Sequence, residues 1–513
     1  MLRETNTENG RVRGIPAADP RITAFKGIPF AAPPVGELRW RAPQPAQNWS
    51  GVLEADRFGP ISVQETPGLG DPEALYNKEW HVDPDLAMDE DCLYLNVWTP
   101  AKTGHEKLPV MVWIFGGGMV GGYPAEMEFD GERIARRGVV LVSVNYRVNG
   151  LGFLAHPELS AESPDHASGN YGLLDQRAGI EWVRRNIENF GGDPGNITIF
   201  GQSGGGRSVV CQAASPLNRG LFRRAIVQSG GGISPTYRRG AYPALADTEQ
   251  IGVRFLQTLG VETIAEARNI PARTVCEKAM AFMRDFGYWW GPTVGGDYLP
   301  EDPAKAYANG RLPDLPVLAC STVDELIMKP EAASMEALRA DAEKRFGEDA
   351  ELYCNICDPK HTGNLAAAVK NGTYNLSDTA NKTWAQMNAE DGRTPMYVCR
   401  FGPEMPGDDA GVFHSSDLWF TFETLAKCWR PFQGKHYDLA RMMCNYWTNF
   451  AKNGNPNGPD ADGTPMPEWK AYTPETPDSM FFGDTPRMER GGPSGIMKFL
   501  IRRESALIRS WKD

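Results

Sequence analysis

The chain has 513 residues, 41% of them hydrophobic and 10% aromatic, and a formal net charge of −12. That is enough apolar material for a large core, and length alone allows about three domains. The acidic balance excludes the basic surface that nucleic-acid phosphates require and disfavours docking on an anionic membrane, and no run reaches the roughly 18 apolar residues of a membrane span.

The first residues, MLRETNTENG, carry charges and no apolar centre, unlike a secretory signal. Nine cysteines are scattered along the chain, and only Cys92 precedes Cys211. Reduced thiols and a cytoplasmic location are therefore expected, with secretion of a longer precursor left open. Cys354 and Cys357 form a lone C-x-x-C, and with no second pair it does not read as a metal site. No metal site is expected anywhere.

Short apolar runs rich in β-branched residues read as buried strands. In chain order they are Val110 to Phe115, Val139 to Val144, Ile197 to Phe200, Ala225 to Val227 and Val317 to Cys320. Helical spacing alternates with them: Leu173, Ile180, Val183 and Ile187 fall along one face of LLDQRAGIEWVRRNI. The stretches 242–312 and 329–392 are mostly helical in pattern and read as insertions capping the strand ends. Strand–helix alternation predicts an α/β fold, a largely parallel sheet flanked by helices, with ligands at the carboxyl ends of the strands.

The sharpest motif is NITIFGQSGGG, Asn196 to Gly206, in which a strand runs directly into Gly201-Gln202-Ser203-Gly204-Gly205. This is G-x-S-x-G with a strand before it and a helix after it. A serine hydroxyl is a weak nucleophile unless it is exposed beside a base, and a tight turn at the sheet edge exposes it. Such a turn presses together the residues two before and two after the serine, and Gly201 and Gly205 are small enough. Earlier, WIFGGGMVGG (Trp113 to Gly122) follows a strand and reads as a loop of oxyanion donors. Gly117 and Gly118 are the candidate donors, with Gly204 as the third.

These motifs resemble, in order and over nearly the whole chain, the type-B carboxylesterases, a family that includes cholinesterases and the non-catalytic neuroligins. FKGIPFAAPPVGELRWRAPQP (Phe25 to Pro45) and EDCLYLNVWTP (Glu90 to Pro100) are similar to its two N-terminal signatures. VNYRVNGLGFL, GNYGLLDQRAGIEWVRRNIENFGGDP and YWTNFAKNGNPN follow in family order. The resemblance implies one α/β-hydrolase domain over 1–513, acting on a small-molecule ester through a Ser–Glu–His triad, with no cofactor. In VLACSTVDE the matching acid is Glu325, with Asp324 as its neighbour and rival; in GVFHSSDLW the matching base is His414. The other histidines, at 81, 105, 156, 166, 361 and 436, lie in contexts that do not match. Ser229 in IVQSG matches a serine that supports the acid.

Departures from the family pattern bear on substrate. Gln202 stands where many members carry glutamate, which disfavours a cationic choline substrate. Gly204 replaces a common alanine, and Phe115 precedes the glycines where other members carry histidine or tyrosine. Met119, Tyr288, Trp289, Trp290, Trp419 and Phe420 are expected to wall an aromatic pocket. That predicts small aryl or short-acyl esters, with hydroxycinnamoyl or acetyl esters of plant carbohydrate as the specific candidates. An amidase or carbamate hydrolase on the same triad, and a neuroligin-like binding protein, are the alternatives.

Overall fold

The computed structural model describes residues 1–66, 73–79, 86–460 and 463–513. The strands are β1 (Glu4–Thr7), β2 (Gly10–Pro16), β3 (Thr23–Pro29), β4 (Val52–Ala55), β5 (Tyr94–Thr99), β6 (Leu108–Ile114), β7 (Val140–Val144), β8 (Gly192–Gln202), β9 (Arg224–Gln228), β10 (Val317–Thr322), β11 (Ile327–Met328), β12 (Tyr374–Asn375), β13 (Tyr397–Phe401), β14 (Ser479–Phe482) and β15 (Pro486–Glu489). One 13-stranded sheet runs β1-β2-β3-β5-β7-β6-β8-β9-β10-β13-β14-β15, with β4 beside β2. From β7 across to β14 every pairing is parallel. The N-terminal strands and β15 pair antiparallel, except β4, which runs parallel to β2.

The sequence pattern explains this division. β7 is buried along its whole length, as are the last five residues of β6. Strands covered by helices on both faces can be apolar at every position. In β2 burial alternates between inward and outward residues, the pattern of a sheet with one wet face. All five strands expected from apolar runs are present at the expected places.

The helix Tyr171–Asn186 buries Leu173, Ile180 and Val183, and Ile187 continues that face in the following 3-10 turn. Gly179 lets the helix approach β7, since a Cβ there would stand 2.5 Å from Val144 Cγ1. Two buried ion pairs tie the quoted signatures together. Arg39 meets Glu90 at 2.6 Å, and Arg147 meets Asp175 through two 2.7 Å contacts. These charged signature residues are structural: each bidentate pair fastens a loop to a neighbouring element.

The stretch 242–312 holds the helices Leu245–Leu259, Ile264–Ala267, Ala272–Phe286 and Pro303–Ala308. The stretch 329–392 holds Met335–Phe346, Ala350–Cys357, Leu365–Gly372 and Leu376–Glu390. The second group shares a small core of its own with the C-terminal helix Gly495–Arg509, built on Leu338, Tyr353, Cys357 and Phe499. All nine cysteines are free thiols, and eight are buried. Among the described residues no helix is long and apolar enough to cross a membrane.

The order of strands locates the site. The chain leaves β6 for β7 on one side and reaches β8 on the other. At such a reversal the loops after the two central strands part and leave a crevice beyond their carboxyl ends. The glycine run follows β6, and Ser203 follows β8.

Candidate active site

Ser203 caps the helix Gly204–Ala214 with φ 57° and ψ −121°, a conformation that side-chain-bearing residues rarely adopt. The surroundings impose it. Its N–H donates to Gln228 O at 2.9 Å, and its carbonyl accepts from Arg207 N–H at 2.9 Å. The glycines at either side leave no room for a side chain. A Cβ on Gly205 would lie 2.0 Å from Ile114 O, and one on Gly201 would lie 2.5 Å from the Gly205 carbonyl carbon. Gly205→Ala is therefore expected to destabilise the fold by about 3 kcal/mol or more, because the clash is with backbone. A thermal midpoint unchanged from wild type would refute this.

His414 Nε2 lies 2.7 Å from Ser203 Oγ, and Nδ1 is hydrogen-bonded to Glu325 Oε2. Three groups separated by up to 211 residues in sequence thus form one hydrogen-bonded chain. The Glu325 side chain is fully buried, and its other oxygen accepts from Thr322 N–H at 3.2 Å. Burial opposes protonation of His414, but Glu325 on Nδ1, with Asp417 behind it, outweighs that effect. The ring is more basic than an ordinary histidine.

Asp324 turns away from the ring. Its Oδ2 accepts from Val412 N–H at 2.8 Å, and its own N–H donates to Val412 O at 3.3 Å. The rival carboxylate thus pins the histidine loop to the acid loop. Gln202 braces the same loop from beneath: its Nε2 donates to Ser415 Oγ at 2.8 Å and lies 3.4 Å from His414 Nε2. Ser229 does not bond the acid. Its hydroxyl is buried without a hydrogen-bond partner among the described residues, and its backbone is held by Cys320 O and the Tyr237 hydroxyl.

The glycine loop and the helix start converge. Gly117 and Gly118 have φ of 88° and 64°, a region that glycine enters without a Cβ clash. The Gly117 carbonyl accepts from Val120 and Gly121 N–H. In a trans peptide the Gly118 N–H then points the opposite way. A Cβ on Gly204 would stand 2.9 Å from Gly118 N. The N–H groups of Gly117, Gly118 and Gly204 have no hydrogen-bond acceptor among the described residues. Free N–H groups on two converging backbones, next to a serine hydroxyl, suit a developing negative charge.

The expected aromatic wall is largely absent. Met119, Trp290, Trp419 and Phe420 have side chains buried in the core, at 0 to 1% exposure. Trp290 packs against Phe255 and Tyr288 and donates to Ala279 O. Trp419 donates to buried Glu79, and Phe420 packs against Phe401 and Phe432. An aromatic run tells which residues are greasy, and only packing tells which of them face inward. Tyr288 is half-buried. Trp289 is 53% exposed, and its indole N–H donates to Gly118 O at 2.7 Å, which places the ring on the glycine loop itself.

Of the other histidines, His156 caps the helix Pro157–Glu162, and His436 is held by Gln433 N–H and Glu404 O. His166 and His361 sit in turns, His105 is exposed, and His81 lies outside the described residues. Two neighbours of the site had no motif to mark them. Asp417 is fully buried, and its Oδ2 accepts from Gln228 Nε2 at 2.6 Å; burial pushes its carboxyl up to about 6. Arg207, one turn beyond Ser203, could have been noticed as a charge closing a glycine run.

A model of the carboxylesterase family matches residues 2–499. The chain is 33% identical over 493 residues to para-nitrobenzyl esterase of Bacillus subtilis (strain 168), covering 92% of this chain and 93% of that one. It is 32% identical over 474 residues to fumonisin B1 esterase of Sphingopyxis macrogoltabida, covering 88% and 82%. A solved structure of a PNB esterase superposes with a TM-score of 0.76 at 29% identity, covering 98% of this chain and 99% of that one.

Proposed function

The chain belongs to the carboxylesterase family, with its α/β-hydrolase fold and its serine carboxylic ester hydrolase activity, and we propose that Ser203, His414 and Glu325 perform that hydrolysis. His414 takes the Ser203 proton as the hydroxyl attacks the ester carbonyl, while Glu325 holds the imidazole and stabilises its charged form. The N–H groups of Gly117, Gly118 and Gly204 hold the oxyanion. The alcohol leaves with the proton from His414, and water, activated by the same ring, releases the acid. The observation that carries this reading is the continuous Ser203–His414–Glu325 hydrogen-bond chain beside three unpartnered N–H groups.

The substrates we assign are small aryl or short-acyl esters. Trp289, exposed against Gly118, offers a flat apolar surface beside the oxyanion donors, and a relative named for a para-nitrobenzyl ester supports an aryl group. Rates on acetate, butyrate, decanoate and ferulate esters test this. A clear preference for decanoate would replace it with a pocket for long chains.

The basic ring sets the acid limb of activity. His414 works as a base only when unprotonated, and its proton is held to a pH above the ordinary imidazole value of 6.5. As pH falls through that raised value, kcat/KM should decline with a single protonation. An acid limb with its midpoint well below 6.5 would contradict the coupling of His414 to Glu325.

A further inference from the structure

The arginines buried in this protein have counter-ions. Arg39 pairs with Glu90, Arg147 with Asp175, Arg268 with Glu162 and Arg430 with Glu79. Arg207, half-buried beside the candidate nucleophile, has none among the described residues. It stands one turn after Ser203 on the helix Gly204–Ala214 and is partly buried. Its Nε is buried without a hydrogen-bond partner, and the guanidinium forms no ion pair among the described residues. Its positive charge acts weakly on His414 and on Tyr237, less in each case than burial and Glu325 do. Burying a guanidinium nitrogen with no hydrogen-bond acceptor costs stability, and no ion pair within the described fold offsets it.

The nearby anions are already engaged. Glu325 is bound to His414, and Asp417 accepts from Gln228. The position preceding Ser203, where a carboxylate would repel an anionic substrate, is the neutral Gln202. The site therefore presents an unspent cation one helical turn from the reacting hydroxyl.

We infer that Arg207 is a specificity-determining residue that binds a carboxylate carried by the substrate, so that the preferred esters are anionic ones, such as half-esters of dicarboxylic acids. The inference rests on Ser203 being the nucleophile. Guanidinium–carboxylate recognition is bidentate and directional, so Arg207 would set the position of the ester as well as its affinity.

The test compares esters matched in shape and differing in charge. On the acyl side these are mono-para-nitrophenyl adipate and para-nitrophenyl hexanoate; on the alcohol side, para-acetoxybenzoate and its methyl ester. The readout is the ratio of kcat/KM, charged over uncharged, after subtraction of spontaneous hydrolysis. In at least one pair, Arg207→Met should lower that ratio about 10- to 100-fold, the range for a lost hydrogen bond to a charged group, mainly through KM. Arg207→Lys should restore part of it. The pair that responds identifies the side of the ester that carries the charge.

The unmodified enzyme gives a second readout that needs no variant to fold: its ratio should fall as salt is raised, because salt screens a partly exposed charge pair. Ratios unaltered in both variants, or insensitive to salt, would overturn the assignment and leave the esterase reading standing. Failure of the wild type to hydrolyse any of the four esters would instead count against Ser203 as nucleophile, and this inference would fall with it.

Discussion

Ser203→Ala should lower kcat on para-nitrophenyl acetate by about 10⁴- to 10⁶-fold, the range seen when one member of a triad is removed. Alanine deletes one oxygen, the atom 2.7 Å from His414 Nε2, and disturbs no packing, because the elbow is shaped by Gly201 and Gly205. The residual rate would come from the N–H groups proposed to hold the oxyanion, which the substitution leaves in place. A serine-reactive organophosphate should label the wild type on Ser203 and leave the variant unlabelled, as read by peptide mass. Undiminished turnover, or a label found elsewhere, would remove Ser203 from the mechanism.

The second large effect concerns the acid. Glu325→Gln should lower kcat by about 10³- to 10⁴-fold, since an amide in that place no longer stabilises the imidazolium and selects the wrong tautomer. Asp324→Asn provides the contrast. Asp324 accepts from Val412 N–H and does not touch the ring, so its loss should reduce thermal stability more than turnover. The pair of variants separates two adjacent carboxylates that differ in burial and partner. If Asp324→Asn were the more damaging to kcat, the roles assigned to the two would have to be exchanged.

These residues differ in how far they can be read from sequence. The strands β6, β7, β8, β9 and β10 announce themselves as continuous apolar runs, because a strand covered on both faces has no polar side to display. The elbow is legible for a related reason: the strand ITIF, the two glycines and the following helix are contiguous. Glu325 and His414 are not contiguous with anything that marks them. They meet Ser203 only because β10 lies two strands from β8 and the loop at 411–417 folds back over it; family resemblance supplied them, and spacing alone could not.

Which aromatics face a pocket is illegible for the opposite reason. Trp290 and Trp419 satisfy their indole N–H groups on Ala279 O and Glu79 inside the core, and no local pattern reveals that such partners exist. The same holds for Ser229, whose buried hydroxyl makes no hydrogen bond to Glu325 or to any other described residue. Arg207 carries no mark in the sequence, because an isolated arginine on a helix is ordinary until its surroundings are known.

The backbone at Ser203 has a consequence for how this enzyme can change. A residue other than glycine held at φ 57° and ψ −121° stores about 1–3 kcal/mol of strain. Glycine would relax that strain and lose only one hydroxymethyl group. The most conspicuous local route to a sturdier protein therefore runs through the residue proposed to make it a catalyst. Selection for durability alone would favour glycine there, so the stored strain would be the cost of keeping the proposed nucleophile in place.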